Sequence, residues 1–243
     1  MSKLVADITM SLDGFITGPD DAPGRGRGER GESLHYWVMG GPWRYDDQSR
    51  RFDPVDVDRG VLAEAIGSIG AGIIGRRMFD VTGGWGGNPP GGPGARYFVL
   101  SHSVPPEWVR PDSPFTFVTD GIDSALAQAR AVAGDKDVGI GGGARVIQQY
   151  LAAGLVDELR LHLAPVLLAA GKRLFDHLGE QTIELDRTRV LESPYATHLF
   201  FTVRRPAGHV ALGSQSHGHT WSNRSRIDAR RILRRDHARA KAA

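Results

Sequence analysis

The sequence predicts one α/β domain over residues 1–205, built on a central sheet that is mainly parallel and ends in an antiparallel edge. Two observations predict this architecture. Short apolar runs alternate along the chain with longer amphipathic segments, an order typical of parallel strands joined by right-handed helical crossovers. The last two apolar runs follow each other with no helical segment between them, which is typical of an antiparallel pair.

The first half of the chain holds four predicted elements. In order, these are a strand over 3–10, a helix over 58–68, a strand over 72–74 and a helix over 76–81. Helical spacing gives the first helix one apolar face, made of Val61, Leu62, Ala65, Ile66 and Ile69. Asp13-Gly14 marks a turn. Two glycine- and proline-rich stretches, 18–33 and 82–94, predict loops, the first of them mobile.

The second half continues the same alternation. The predicted elements are strands over 97–100 and 115–118, a helix over 122–133, a strand over 137–140, a helix over 145–151, and strands over 158–168, 182–192 and 197–204. The helix over 122–133 should turn Ile122, Leu126, Ala129 and Val132 inward. The strands over 182–192 and 197–204 form the predicted antiparallel edge.

Basic residues are concentrated at the carboxyl end of the chain. Residues 206–243 hold eight Lys and Arg against two Asp, whereas the preceding part holds 22 basic and 26 acidic residues. The acidic body gives no reason to expect nucleic acid as a partner. The composition of 206–243 predicts a basic, disordered tail; an alternative hypothesis is that this tail tethers the body to nucleic acid. Its four histidines lack a carboxylate framework, so no metal site is predicted.

Several classes of protein are excluded by composition. The chain has no cysteine, which excludes disulfides, thiolate catalysis and cysteine-bound metals. No window approaches the roughly 18 apolar residues that a membrane-spanning helix needs. The amino-terminal strand has an acid, Asp7, inside its apolar run and does not resemble a signal peptide. We therefore expect a cytoplasmic protein.

The most informative motif is Ile140-Gly141-Gly142-Gly143-Ala144, between a predicted strand and a predicted helix. Bare backbone N–H groups at a helix amino terminus attract phosphate, because the unpaired donors and the helix dipole both favour negative charge. A tight turn without a ligand is the alternative. Gly75-Arg76-Arg77 opens another helix with two cations, which the dipole disfavours unless an anion compensates them.

Six segments occur in a characteristic order: 9–16 (TMSLDGFI), 73–79 (IIGRRMF), 99–101 (VLS), 140–144 (IGGGA), 153–159 (AGLVDEL) and 165–168 (PVLL). In this order, the segments resemble the dihydrofolate reductase superfamily, in the branch related to the reductase domain of bacterial riboflavin biosynthesis. The resemblance covers residues 3–204. It implies a three-layer α/β/α fold whose central sheet binds NADPH across its strand ends, and a homodimer formed through the carboxyl-terminal part of the sheet.

The resemblance also implies roles for individual residues. Thr9 and Ile16 fall where backbone groups hold the nicotinamide carboxamide. Arg76 falls where a side chain contacts the 2′-phosphate, which favours NADPH over NADH, and Ser101 falls near the same phosphate. The remaining implied cofactor-binding residues are Gly75, Arg77, Gly141, Gly142, Gly143 and Ala144, with a cis peptide expected between Gly141 and Gly142. His102 replaces a second hydroxyl.

The catalytic acid is the least defined part of the predicted site. Asp13 lies in the loop beside the nicotinamide position. It either orients the substrate or closes this loop, or it only forms the turn before Gly14. The proton donor is either Asp13 or a bound water. The acid that dihydrofolate reductases carry in their first helix cannot be aligned; the loop acids that could replace it are Glu32, Asp46, Asp47 and Asp56.

Two further positions depart from the relatives. Ile140 stands where the riboflavin-pathway reductases carry Glu before the glycines, and Met78 replaces a threonine that contacts pyrophosphate. These departures weaken the expectation that this chain acts on the substrate of either the dihydrofolate reductases or the riboflavin-pathway reductases. Aromatic residues at 35–37, Trp43 and Trp85 either stack on a planar heterocycle or pack the loops down.

The sequence therefore predicts an NADPH-dependent reductase that transfers hydride to a C=N or C=O bond of a small heterocyclic substrate. One alternative is the 5-amino-6-(5-phosphoribosylamino)uracil reductase of riboflavin biosynthesis. Another is a non-catalytic nucleotide- or flavin-binding module that kept the fold without the reaction.

Overall fold

A computed structural model describes residues 2–47, 49 and 51–204. The predictions for the tail over 206–243, including its histidines and its disorder, lie outside the described residues. Within the described residues, no helix is both long and apolar enough to cross a bilayer.

The described residues form ten strands: β1 (Leu4–Ser11), β2 (Phe15–Thr17), β3 (Ile69–Gly75), β4 (Tyr97–Leu100), β5 (Phe115–Val118), β6 (Asp137–Ile140), β7 (Glu158–Ala164), β8 (Lys172–Arg173), β9 (Leu185–Glu192) and β10 (Thr197–Val203). All but β2 and β8 belong to the main sheet, in the order β5-β4-β3-β6-β1-β7-β10-β9. Neighbours from β5 to β7 are parallel, and β10 is antiparallel to both β7 and β9. The predicted parallel sheet with an antiparallel edge is confirmed.

Helices cover both faces of this sheet. They are α1 (Tyr36–Met39), α2 (Asp56–Ser68), α3 (Arg76–Thr82), α4 (Ile122–Ala133) and α5 (Ala144–Ala152). Leu4, Ala6 and Ile8 of β1 belong to the core cluster that also contains residues of α4 and α5. The opposite face of the sheet carries a second cluster, in which Trp37 of α1 and Val61 of α2 pack with Phe200 of β10. The three-layer α/β/α arrangement follows.

Some details of the elements differ from the prediction. The strand predicted over 158–168 ends at Ala164, because Pro165 has no N–H for the ladder. Ile66 and Val132, both expected on buried faces, are 47% and 51% exposed. Successive residues of an α-helix are about 100° apart, so in α4 Ala133 and Ala125 face the core and Val132 does not. The short antiparallel pair of β2 and β8 was not predicted.

Candidate active site

A cleft of about 740 Å³ opens at the carboxyl ends of the parallel strands. Its wall includes Ile8 of β1 and the residues that follow β3, β4, β5 and β6. In open α/β sheets, ligands bind in the crevice outside these strand ends, where neighbouring connections separate. The fold thus brings the predicted glycine turns to the place where a cofactor would bind.

The turn between β6 and α5 presents bare backbone donors to this cleft. Gly142 and Gly143 have φ values of 137° and 90°, which favour glycine. Among the described residues, no acceptor bonds the N–H groups of Gly142, Gly143 or Ala144, whereas Gly141 N–H donates to Ile73 O at 3.0 Å. The Gly141–Gly142 peptide is trans. The expected cis bond is therefore wrong, because the two left-handed glycines already reverse the chain.

Gly75 permits a close approach between β3 and α5. A Cβ atom at this position would lie 2.9 Å from Val146 Cγ2, closer than real Cβ contacts allow. The glycine therefore lets the first turn of α5 pack directly on the end of β3. This contact aligns the Gly142–Gly143 turn beside the start of α3.

The two predicted phosphate-binding arginines already have acidic partners within the protein. Arg76 Nε donates to Asp80 Oδ1 at 2.7 Å, and Arg77 pairs with Asp21 at 3.1 Å. Lys172 Nζ reaches the other oxygen of Asp21 at 2.5 Å. Burial alone would raise the pKa of Asp21, but the bonds from Arg77 and Lys172 outweigh it and lower that pKa. An external anion is thus not needed to explain either arginine.

The cleft is nevertheless strongly cationic. Two acids, Asp21 and Asp176, line it. Six Lys and Arg side chains line it too: Arg27, Arg76, Arg77, Arg145, Lys172 and Arg173. Clefts lined by one sign of charge focus the field and concentrate ligands of the opposite sign. The lining therefore suits a ligand with several negative charges.

Two buried polar atoms in the cleft wall have no hydrogen-bond partner. They are Thr17 Oγ1 and Gln148 Oε1, on side chains that are 8% and 3% exposed. Gln148 Nε2 donates to the carbonyls of Arg173 and Leu174 at 3.2 and 3.1 Å, which fixes the amide. Because buried polar atoms in proteins are nearly always bonded, these two indicate a place for a ligand or an ordered water.

The predicted site residues separate into two groups. The cleft lining includes eight of them: Ile16, Gly75, Arg76, Arg77, Ser101, Gly142, Gly143 and Ala144. His102 lines it too, but the Ser101 hydroxyl donates to Ser103 O at 2.6 Å. Thr9, Asp13 and Gly141 are absent from the lining. Thr9 is buried and its Oγ1 accepts from Trp37 Nε1 at 3.0 Å.

Asp13 ties two loops together. Its carboxylate accepts from Ser11 Oγ at 2.6 Å and from the N–H groups of Leu168 and Ala169 at 3.1 and 2.8 Å. The Ser11 bond is the main cause that lowers the pKa of Asp13 to about 2. At neutral pH the group is ionised and holds no proton to donate. The geometry thus favours the turn-forming interpretation over proton donation.

The aromatic residues and loop acids lie away from the cleft. Among the described residues that line it there is no Phe, Tyr or Trp. Trp43 Nε1 donates to Glu32 O at 2.9 Å, and Trp85 packs in the cluster around Phe79 and Phe115. The four candidate acids, Glu32, Asp46, Asp47 and Asp56, are also absent from its lining.

A buried polar network on the other face of the sheet was missed by the sequence reasoning. His162 Nε2 lies 2.8 Å from Asp7 Oδ1, the two Nδ1 atoms of His162 and His198 lie 2.8 Å apart, and His198 Nε2 lies 2.7 Å from Asp58 Oδ1. We call these four residues the buried network. The available signals were an acid inside the first apolar strand and a histidine inside each of two later strands.

The comparisons with known proteins agree with this architecture. The RibD C-terminal domain family model matches residues 2–198. The uncharacterized protein YyaP of Bacillus subtilis is 25% identical over 202 residues, covering 79% of this chain and 90% of YyaP. Two crystal structures also match. A Shewanella sp. PV-4 protein named for riboflavin biosynthesis superposes with a TM-score of 0.59 at 22% identity, covering 84% of this chain and all of that one. A pyrimidine reductase-like protein of Corynebacterium diphtheriae gives 0.53 at 16% identity, covering 84% and 93%.

The fold and the cleft define a dihydrofolate reductase-like α/β domain of the riboflavin branch. The chain belongs to the RibD C-terminal domain family. This membership makes it an oxidoreductase of the riboflavin and dihydrofolate reductase type.

Proposed function

We propose that this protein is an NADPH-dependent reductase of a C=N or C=O bond in a small heterocyclic substrate. The observation that carries the proposal is the cationic cleft, with six Lys and Arg against two Asp, next to the bare N–H groups of Gly142, Gly143 and Ala144. A dinucleotide diphosphate with a 2′-phosphate has the charge and the acceptor oxygens that this lining requires. When bound, the reduced nicotinamide would supply the hydride.

Individual residues would hold this cofactor as follows. The amides of the Gly142–Ala144 turn would bind the diphosphate, and Arg76, Arg77 and Ser101 would bind the adenosine 2′-phosphate. Because Arg77 is held by Asp21 and Arg76 by Asp80, the incoming phosphate competes with two carboxylates.

At the other end of the cofactor, backbone groups of Thr9 and Ile16 would hold the nicotinamide carboxamide. Thr17 Oγ1 and Gln148 Oε1 would find their missing partners in bound ligand or water. Asp13 would keep its loop in place while ionised.

A second candidate is the reduction of a phosphoribosylated aminouracil in riboflavin biosynthesis, which the family membership favours. A cationic cleft also suits that substrate. A binding module without turnover is the outcome to test against both. A cytoplasmic location and a homodimer stay predictions, and light scattering would test the second.

Calorimetric titration with NADPH and NADH, followed by turnover assays, tests the proposal. We expect NADPH to bind more tightly than NADH, and Arg76→Ala to weaken NADPH far more than NADH. The matched control is Arg59→Ala, which removes an exposed arginine from α2. Pterin, aminouracil and quinone substrates are then screened by the loss of nicotinamide absorbance. No heat and no thermal protection at millimolar NADPH would overturn the proposal, and binding without turnover would favour the binding module.

A further inference from the structure

The buried network joins four ionisable side chains from four elements: Asp7 of β1, His162 of β7, His198 of β10 and Asp58 of α2. Three contacts of 2.7 to 2.8 Å connect them in one line. His198 and Asp58 are fully buried, and the His162 side chain is 2% exposed. Buried charge of this kind is costly unless it is paired. A structural role alone would be served as well by apolar side chains.

The buried network needs one proton more than two ionised carboxylates and two neutral imidazoles supply. Each of the three contacts needs one proton between its heavy atoms. With two ionised carboxylates and two neutral imidazoles, the four groups carry only two protons, so one contact would join two lone pairs. A third proton completes the series, either on an imidazole or on a carboxylate. The buried network then carries a single net negative charge.

The third proton belongs to the half of the buried network that contains Asp7 and His162. Burial, the largest effect on His198, lowers the pKa of that imidazole despite the opposing bond to Asp58. His198 is therefore the neutral member, which donates from Nε2 to Asp58 and accepts at Nδ1 from His162. Asp7 has a side-chain exposure of 25%, the largest of the four. Asp7 is therefore the member through which the buried network reaches solvent.

Charged or titratable groups on the neighbouring elements include Arg160 and Glu158 of β7, His35 after the 18–33 loop, Arg27 in that loop, and the mutually paired Glu64 and Arg189. Arg160 lies beside Asp7 in the strand register; its terminal nitrogens donate to Ser68 and Glu158, and its buried Nε has no partner among the described residues. Burial lowers the pKa of His35, so that imidazole is neutral. Asp7 Oδ2 has no partner among the described residues.

The buried network also lies directly behind the proposed nicotinamide position. His162 is the register partner of Thr9 in the parallel pairing of β1 and β7. Trp37 covers both imidazoles, at centroid distances of 4.5 and 5.2 Å, and its Nε1 donates to Thr9 Oγ1. Asp7 is itself absent from the cleft lining; it immediately precedes Ile8, which lines the cleft, and its side chain lies on the opposite face of β1. The neighbouring strand β6 ends at Ile140, opposite Ala6. The next residue, Gly141, has no side chain that could cover the Asp7 carboxyl.

We propose that Asp7 delivers the third proton to the heteroatom of the substrate's C=N or C=O bond; the carbon of that bond would receive a hydride from the reduced nicotinamide. The proposal rests on the reductase function proposed above. The π bond would break, one C–H bond and one N–H or O–H bond would form, and the hydride from the reduced nicotinamide would supply both electrons. His162, His198 and Asp58 are positioning residues. Solvent returns the proton through Asp7 after product release.

Asp7→Asn tests the donor role, because it keeps a hydrogen-bonding partner for His162 but removes the acid. With NADPH and whichever substrate the wild type reduces, we expect kcat to fall about 10²- to 10⁴-fold, with NADPH binding by calorimetry unchanged within about threefold. Asp112→Asn, at an exposed acid just before β5, is the matched control and should keep full activity. Equal kcat in Asp7→Asn and wild type would overturn the proposal, whereas a wild type that neither binds NADPH nor turns over would overturn the reductase function itself.

A spectroscopic measurement keeps the test independent of how well the variant folds. In the wild-type protein without NADPH, imidazole ¹⁵N spectra should show His198 as a neutral Nε2–H tautomer and His162 with a proton at Nδ1. The pH at which that proton leaves should match the pH above which kcat/KM declines. Asp7→Asn should lose this decline, and His162→Gln should lower kcat more than it raises KM. Two Nε2–H tautomers facing each other through bare Nδ1 atoms would contradict the stored proton.

Discussion

The cleft and the buried network both contain paired charges, but in very different surroundings. In the cleft, the Arg77 side chain is 59% exposed and the Arg76 side chain is 38% exposed. In the buried network, Asp58 and His198 have no exposure at all. Exposed pairs contribute up to about 1 kcal/mol because solvent screens them, whereas one partner of a buried pair cannot be removed without leaving the other uncompensated. The charged side chains of the cleft can therefore exchange their present partners for a ligand, whereas those of the buried network cannot.

The largest difference should appear when Asp58 is replaced. Asp58→Ala leaves His198 Nε2 buried without an acceptor, and we expect the free energy of unfolding to fall by about 3–5 kcal/mol. Urea denaturation monitored by tryptophan fluorescence measures this loss. The matched control is Asp56→Ala on the same helix, where the carboxylate is fully exposed; its change should stay within about 0.5 kcal/mol. Similar losses in both variants would remove the distinction between the two regions.

The next effect concerns packing at the floor of the cleft. Gly75→Ala places a methyl group 2.9 Å from Val146 Cγ2, and we expect a loss of about 1–3 kcal/mol from overpacking. The double variant with Val146→Ala should recover most of that loss, because the clashing methyl group is gone. Gly60→Ala is the control: nothing lies within 4 Å of its Cβ position, so better helix propensity should add about 0.5–1 kcal/mol. A tolerated Gly75→Ala would show that α5 can shift away from β3.

Local sequence was enough to predict most of the fold and the glycine turns. Strand and helix periodicity depends on neighbouring residues, and α4 (Ile122–Ala133), β4 (Tyr97–Leu100) and β5 (Phe115–Val118) have the predicted bounds. The wrong orientation of Val132 has a local cause too, since a single apolar residue does not say which side of a helix meets the sheet. Its neighbour Ala133 is small, apolar and buried in its place.

The buried network could not be predicted, because its partners are far apart in the sequence. Asp7 and His162 are 155 positions apart, and His198 and Asp58 are 140 apart. Only the strand order, which sets β1 beside β7 and β7 beside β10, brings them together. The same reason applies to Asp21, which lies 56 positions from Arg77. In the cleft, the turns were predictable and the acids that neutralise the cations were not.

A pH-dependent difference is expected at Asp13, outside both regions. Its pKa is lowered to about 2 from 3.8 by the Ser11 hydroxyl and two backbone N–H groups. A carboxylate with a depressed folded-state pKa contributes stability that is present above its unfolded pKa and is lost as the pH falls through the folded value. Thermal midpoints of wild type and Asp13→Asn should thus differ at neutral pH and converge between about pH 4 and pH 2. A constant difference across that window would mean that the charge of Asp13 is not what holds the loops.

The smallest effect is expected where the cleft holds its own cations. Asp21→Asn removes the carboxylate shared by Arg77 and Lys172, and since Arg77 is more than half exposed we expect a stability loss of only about 0.5–1 kcal/mol. Because such pairs are screened, the loss should nearly vanish in about 1 M NaCl, whereas the Asp58→Ala loss should persist there. Denaturation curves of both variants at low and high salt make this comparison directly, and Asp120→Asn, an exposed acid after β5, serves as the control. A salt-independent loss at Asp21 would assign its carboxylate to the rigid fold and not to the exchangeable charges of the cleft.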